Sequence, residues 1–225
     1  MTHASRILFL HFLVNRLKFY SRAGSYIISL GIELITSHKI SQHVNDMKIL
    51  DEIRGWKGKP KELVIVLTKN VKEDKTLFAQ LVDCLKSGSD VEKGTCADVM
   101  KNVTKDEPEI ATPYINEMIE YINYKAPRVK WGVPESIGNM AQKFPDKVEN
   151  AVPKLLVNTR DESTVVRWCA TYALSEIVKN NSQIRGTLIP KIEEIVKNEK
   201  NNGVKNVCLK ALKTIGIKLE SRTQV

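Results

Sequence analysis

Residues 161–177 read DESTVVRWCATYALSEI. A polar, acidic turn runs into apolar or small residues at Val166, Cys169, Ala170, Ala173, Leu174 and Ile177. They recur three and four positions apart, the period of a helix with one buried stripe. Asp161 or Ser163 stands where a side-chain oxygen accepts hydrogen bonds from the free amides of a first helical turn. The small residues in the stripe allow a neighbouring helix to approach closely. Trp168, beside Arg167, falls off the stripe and needs another explanation.

The same segment recurs along the chain. VEKGTCADVMKNV starts at Val91, VKWGVPESIGNMA at Val129, VRWCATYALSEIV at Val166 and VKNVCLKALKTIG at Val204, so the first valines are 38, 37 and 38 residues apart. A shorter apolar segment precedes each: TLFAQLVDCL from Thr76, PYINEMIEYI from Pro113, PKLLVNT from Pro153 and PKIEEIV from Pro190. Proline suits the first turn of a helix, where its missing donor has no intrahelical partner, so each is predicted to open a helix. Neither helix of such a pair can bury its apolar face alone, and stacked pairs share one elongated core. The predicted fold is all-α, a right-handed α-α superhelix of about four to five helix pairs. The repeats fall at roughly 75–109, 110–147, 148–184 and 185–222, with a partial repeat or cap at 47–74. Pro134 lies inside the second copy, where it cannot donate to the carbonyl of Lys130, and a kink is expected there.

A repeated pair of this length, with an acidic turn, Val-Arg and spaced alanines, resembles the HEAT-repeat family, including its PBS-lyase-type members. The resemblance covers residues 76–219; Glu92 stands where the pattern has arginine, and Pro134 interrupts the second copy. It implies that the second helices line a concave groove. The position two after each leading valine lies about 200° round the helix, opposite the core. It holds Lys93, Trp131, Trp168 and Asn206, with Ala97, Glu135, Tyr172 and Lys210 four residues on. Glu92, Lys130, Arg167 and Lys205 run beside them. The candidate site is therefore Trp131, Trp168, Tyr172, Lys130, Arg167, Glu135, Lys205 and Lys210, with the two tryptophans forming an aromatic ladder. Exposed aromatics beside arginine are typical of binding hot spots. The plainer alternative is that tryptophan after Val-Arg packs across the neighbouring helix as filler.

Composition narrows the function. All four histidines, His3, His11, His38 and His43, precede Met47, so the repeat region has neither a histidine-based triad nor a histidine metal ligand. Cys84, Cys96, Cys169 and Cys208 lie in helical patterns without CxxC spacing and read as reduced structural thiols, as in a cytoplasmic protein. No cofactor or metal is expected. The net charge of +9 favours anionic partners or a mildly basic solvated surface. The leading expectation is a non-catalytic scaffold that binds a partner protein or peptide on its concave face. The alternative is nucleic-acid binding, with phosphates on Lys130, Arg167, Lys205 and Lys210. The chain is also somewhat similar to HEAT-like alkylpurine DNA glycosylases, which implies Trp131, Glu135, Arg167 and Trp168 around a cationic base. Against that, the acid is Glu, Pro134 adjoins it, and Asn206 stands where a further tryptophan is wanted. A bilin-attachment role rests on nothing beyond the shared repeat.

Residues 1–46 differ in kind. Residues 7–35 carry two apolar blocks around a basic centre, and His11, Asn15, Arg16 and Lys18 break the apolar runs. Spanning a bilayer takes about 20 apolar residues, so a transmembrane helix and a membrane partner are not expected. Three readings stay open for this stretch: an upstream extension from a misassigned start at a protein beginning with Met47, a capping segment, or an amphipathic membrane-facing segment. The oligomeric state is not legible.

Overall fold

The computed structural model describes residues 48–217, and the regular structure in them is helical throughout. Two helices open the stack, α1 (Ile49–Gly55) and α2 (Pro60–Glu73). The next pair is α3 (Leu77–Ser87) and α4 (Asp90–Asp106). A 3₁₀ segment (Pro108–Tyr114) with α5 (Ile115–Glu120) then pairs with α6 (Pro127–Met140). Another broken first helix follows, α7 (Pro145–Val148), a 3₁₀ turn (Glu149–Ala151) and α8 (Val152–Asn158), and pairs with α9 (Thr164–Asn180). The last pair is α10 (Arg185–Asn198) and α11 (Asn202–Thr214).

Capping sets where the second helices start. Ser89, Ser163 and Asn201 each accept from the amide three residues on, at Glu92, Val166 and Val204. That satisfies one of the donors a helix start leaves unpaired. At Ser163 the turn is double: the Asp161 carboxylate accepts from the Ser163 amide at 2.9 Å, and the Ser163 hydroxyl then caps α9. In the second copy Ala126 and Pro127 take that place, and proline at the start substitutes for a cap.

The second helices α2, α4, α6, α9 and α11 pack side by side in chain order; α1 packs on α3 and α4, and each later first-helix segment packs on its own partner and on the preceding second helix. Close approach is built on small residues. A Cβ added at Gly132 would lie 2.5 Å from the Ala97 carbonyl oxygen, so α6 rests on the backbone of α4. A Cβ on Gly138 would meet the Tyr172 ring at 2.7 Å, which places that ring over α6. Leu81, Met100, Ile137, Leu174 and Leu212 fill the layer between first and second helices. Each contributes about 1.5–3 kcal/mol by leaving water. The architecture is an all-α solenoid of repeated helix pairs.

Two of the prolines expected to open helices depart from expectation. Pro153 does lie in the first turn of its helix, but Pro113 sits inside the 3₁₀ segment and Pro190 inside α10. The first-helix pattern in those two copies begins upstream of its proline. Pro134 is inside α6, which runs as one helix to Met140. The missing donor is tolerated because α6 is held on both sides, by α4 and by α9.

Polar side chains tie each pair to the next. Lys72–Asp106, Lys143–Glu109, Lys154–Glu120 and Arg160–Glu194 each join residues one repeat apart. So does Tyr124, whose hydroxyl donates to Asp90 at 2.7 Å. Inside the stack, the Asn158 amide donates to the Ile122 carbonyl at 2.8 Å and its Oδ1 accepts from Asn123. The four cysteines are free and buried.

Candidate functional site

The second helices present one continuous polar and aromatic face. On α6, Arg128, Trp131, Glu135 and Asn139 follow at helical spacing, all partly exposed. On α9 the row is Trp168, Tyr172, Glu176 and Lys179. Cross-links between helices join these rows. Arg128 donates to Asp98 on α4 at 2.6 Å, Asn139 donates to the Lys101 carbonyl at 3.1 Å, and the Tyr172 hydroxyl donates to Asn139 Oδ1 at 2.8 Å. On α11 Asn202, Asn206, Lys210 and Lys213 continue the pattern, all exposed.

The aromatic pair of this face is Trp168 on Tyr172, with ring centroids 5.6 Å apart and planes within 1°. One helical turn separates the two residues, so α9 itself sets the stack. Gly138 provides the floor that lets Tyr172 lie flat. Burial pushes the Tyr172 hydroxyl up to about 12, with the Glu176 and Glu135 charges adding. Trp131 differs from the expected ladder: among the described residues it makes no ring–ring contact, and its Nε1 is buried without an acceptor. Trp131 and Trp168 are both partly exposed.

Glu135 lies between the rows. Its nearest cation is Lys101 Nζ at 4.0 Å, and the Cys169 thiol stands 3.9 Å from Oε2. Burial raises its carboxyl above the ordinary range; Asp98 adds to the shift, and Lys101 and Lys105 oppose it. Burial and the Glu135 charge push the Cys169 thiol up to about 12, so this sulfur is no nucleophile at neutral pH. Glu135 is thus a half-buried carboxylate with acceptor capacity to spare.

The basic members of the predicted site go elsewhere. Arg167 donates to both oxygens of Glu199 at 2.7 and 3.2 Å, and to the carbonyls of Asp161 and Glu162, each at 2.9 Å. Its hydrogen bond holds the Glu199 carboxyl below the usual range. Lys130 is bound to Asp161 at 2.7 Å. Burial acts to raise Asp161, but Lys130 and the Ser163 amide outweigh it and its carboxyl lies low. Lys130 and Arg167 therefore lock the turns that start α9 and α11, at the rim of a cleft beside the aromatic face. Lys93, expected on the outward face, is buried, with Nζ 4.7 Å from the Tyr124 ring centroid. Lys205 is partly exposed and Lys210 exposed, and neither enters an ion pair among the described residues.

Arg128 and Asn139, which the wheel from the leading valine passed over, hold the face together. Their signal was present in the sequence as the i, i+3, i+7, i+11 spacing through Trp131 and Glu135. Among the described residues no cluster of His, Cys, Asp and Glu is arranged to hold a metal ion.

Solved structures with similar backbones are designed armadillo repeat proteins. One, in complex with peptide (KR)4, has a TM-score of 0.59 at 16% identity, over 89% of this chain and 97% of its own. Computationally designed armadillo repeat proteins for modular peptide recognition give 0.58 at 15%, over 89% and 97%. A further designed armadillo repeat protein gives 0.57 at 17%, over 90% and 98%. At these identities the likeness is one of fold, a helical-repeat solenoid, and the neighbours are armadillo rather than HEAT repeats. No protein-family model matches the chain, and no curated protein matches it.

Proposed function

We propose that this chain is a HEAT-type repeat scaffold without catalytic activity. It binds a partner protein, through a peptide segment, on the face of its second helices. The observation that carries this reading is the parallel Trp168–Tyr172 stack, partly exposed beside the under-partnered carboxylate of Glu135. A rigid aromatic platform next to a desolvated acceptor is the composition of an interface hot spot. Two of the similar folds are described with peptides, which supports a peptide as the occupant.

Nucleic-acid binding is less well supported. Of its four proposed phosphate contacts, Lys130 and Arg167 are already spent on carboxylates. The glycosylase arrangement also requires Arg167 on the aromatic face, and Glu199 holds it at the rim. The test is affinity capture with the wild-type chain and with Trp168→Ala. Partners retained by the wild type are expected to be lost from a variant of unchanged helicity. Equal retention of the same partners by both would refute the site.

A further inference from the structure

The cleft at the rim has its own chemistry, of about 930 Å³, and opens between the ends of α8 and α10. It lies at the C-terminal end of α8, between residues 156–161 and the last turns of α10. Apolar side chains are left facing the gap: Val157 is 63% exposed, and Leu156 and Ile195 are partly exposed.

Charge around this cleft is unbalanced. Every Lys or Arg in an ion pair among the described residues precedes Arg185. The last repeat nevertheless gives two of its carboxylates backwards, Glu194 to Arg160 and Glu199 to Arg167. Lys191 and Lys200, both exposed and both lining the cleft, are left without an acid. Arg160 is 82% exposed and holds Glu194 only at 3.6 Å. Lys130 with Asp161 and Arg167 with Glu199 cancel at the rim. An apolar patch therefore sits between unpaired cations and beside two neutral ion pairs.

We propose that this cleft is a second binding site, for an acidic peptide segment that inserts an apolar side chain. The apolar residue lies on Val157, Leu156 and Ile195, and flanking carboxylates meet Lys191, Lys200 and Arg160. A nucleic-acid strand fits less well. No aromatic ring lines the cleft to stack a base.

The test is fluorescence anisotropy on the full chain with a labelled degenerate pentapeptide pool, Leu or Ile at the centre and Asp or Glu on either side. A pool with Lys or Arg on either side and labelled oligothymidylate serve as comparisons. The acidic pool is expected to bind, and to weaken about ten-fold or more in a Lys191→Glu, Lys200→Glu double variant. Val157→Asp is expected to weaken it similarly. Trp168→Ala is expected to leave it unchanged, because Trp168 does not line the cleft. Absence of binding by the acidic pool, equal binding by the double variant, or tighter binding of the basic pool overturns the proposal. So does oligothymidylate binding that is lost in the same double variant, which would make the cleft a nucleic-acid site.

Discussion

Glu92 and Glu135 occupy second helices one repeat apart in the stack, yet their environments push them in opposite directions. Arg54 Nε donates to Glu92 at 2.7 Å and the Ser89 amide donates to its other oxygen at 2.7 Å. These bonds bring its carboxyl down to about 2. The stability it contributes is present above its unfolded value and lost as pH falls through the folded one. Glu92→Gln is expected to cost about 1–2 kcal/mol at neutral pH, measured by urea unfolding, with the difference closing between about pH 5 and 2. For Glu135 the sign reverses. Its carboxyl is raised by burial, so the fold favours the protonated form and loses stability as pH rises through that value. Glu135→Gln is expected to raise the melting temperature at neutral pH and to make no difference well below about pH 4. A lower melting temperature at neutral pH would mean that Lys101 holds the charge more firmly than its 4.0 Å separation indicates. Which acid was paired was not legible in the sequence. Glu92 read as a departure from an arginine position, and its partner Arg54 lies 38 residues away on α1 with no periodic signal to announce it.

At the scale of the helices, close packing depends on glycine. Gly132→Ala would press a methyl onto the Ala97 carbonyl, backbone that cannot turn aside as a flexible side chain does. A loss of about 1–3 kcal/mol is expected in thermal or urea unfolding. An unchanged stability would show that α4 and α6 are free to separate. The second helices were legible because a 3.6-residue stripe of small and apolar residues persists through all four copies. The first helices were read less well. Pro113 and Pro190 looked like helix starts, yet 3₁₀ geometry carries the chain through one and α10 through the other. Proline's preference for a first turn is local, and burial of Leu188 and Ile192 outweighs it in α10.

Across the whole molecule, side chains that a helical wheel assigns to one surface are divided between two. The aromatic residues and Glu135 stay on the second-helix face, where α9 and Gly138 fix their orientation. Lys130 and Arg167 reach instead to Asp161 and Glu199 at the cleft. A wheel gives the direction of Cβ from the axis, whereas a long cation goes to whichever carboxylate the next repeat supplies. The solenoid and the aromatic face were accordingly readable from period and spacing, and the cleft was not, since it lies between the ends of two first helices, where no periodic signal reaches. The measurement that tests the proposed function most directly is a tryptophan-fluorescence titration of the full chain with peptides selected from a random display library, at low and moderate salt. Saturable change is expected with the selected peptides, abolished by Trp168→Ala at unchanged helicity and little affected by salt. Peptide binding that survives Trp168→Ala in a chain whose cleft is already disabled by Lys191→Glu and Lys200→Glu, or a saturable response to oligothymidylate alone that fades steeply with salt, would contradict it.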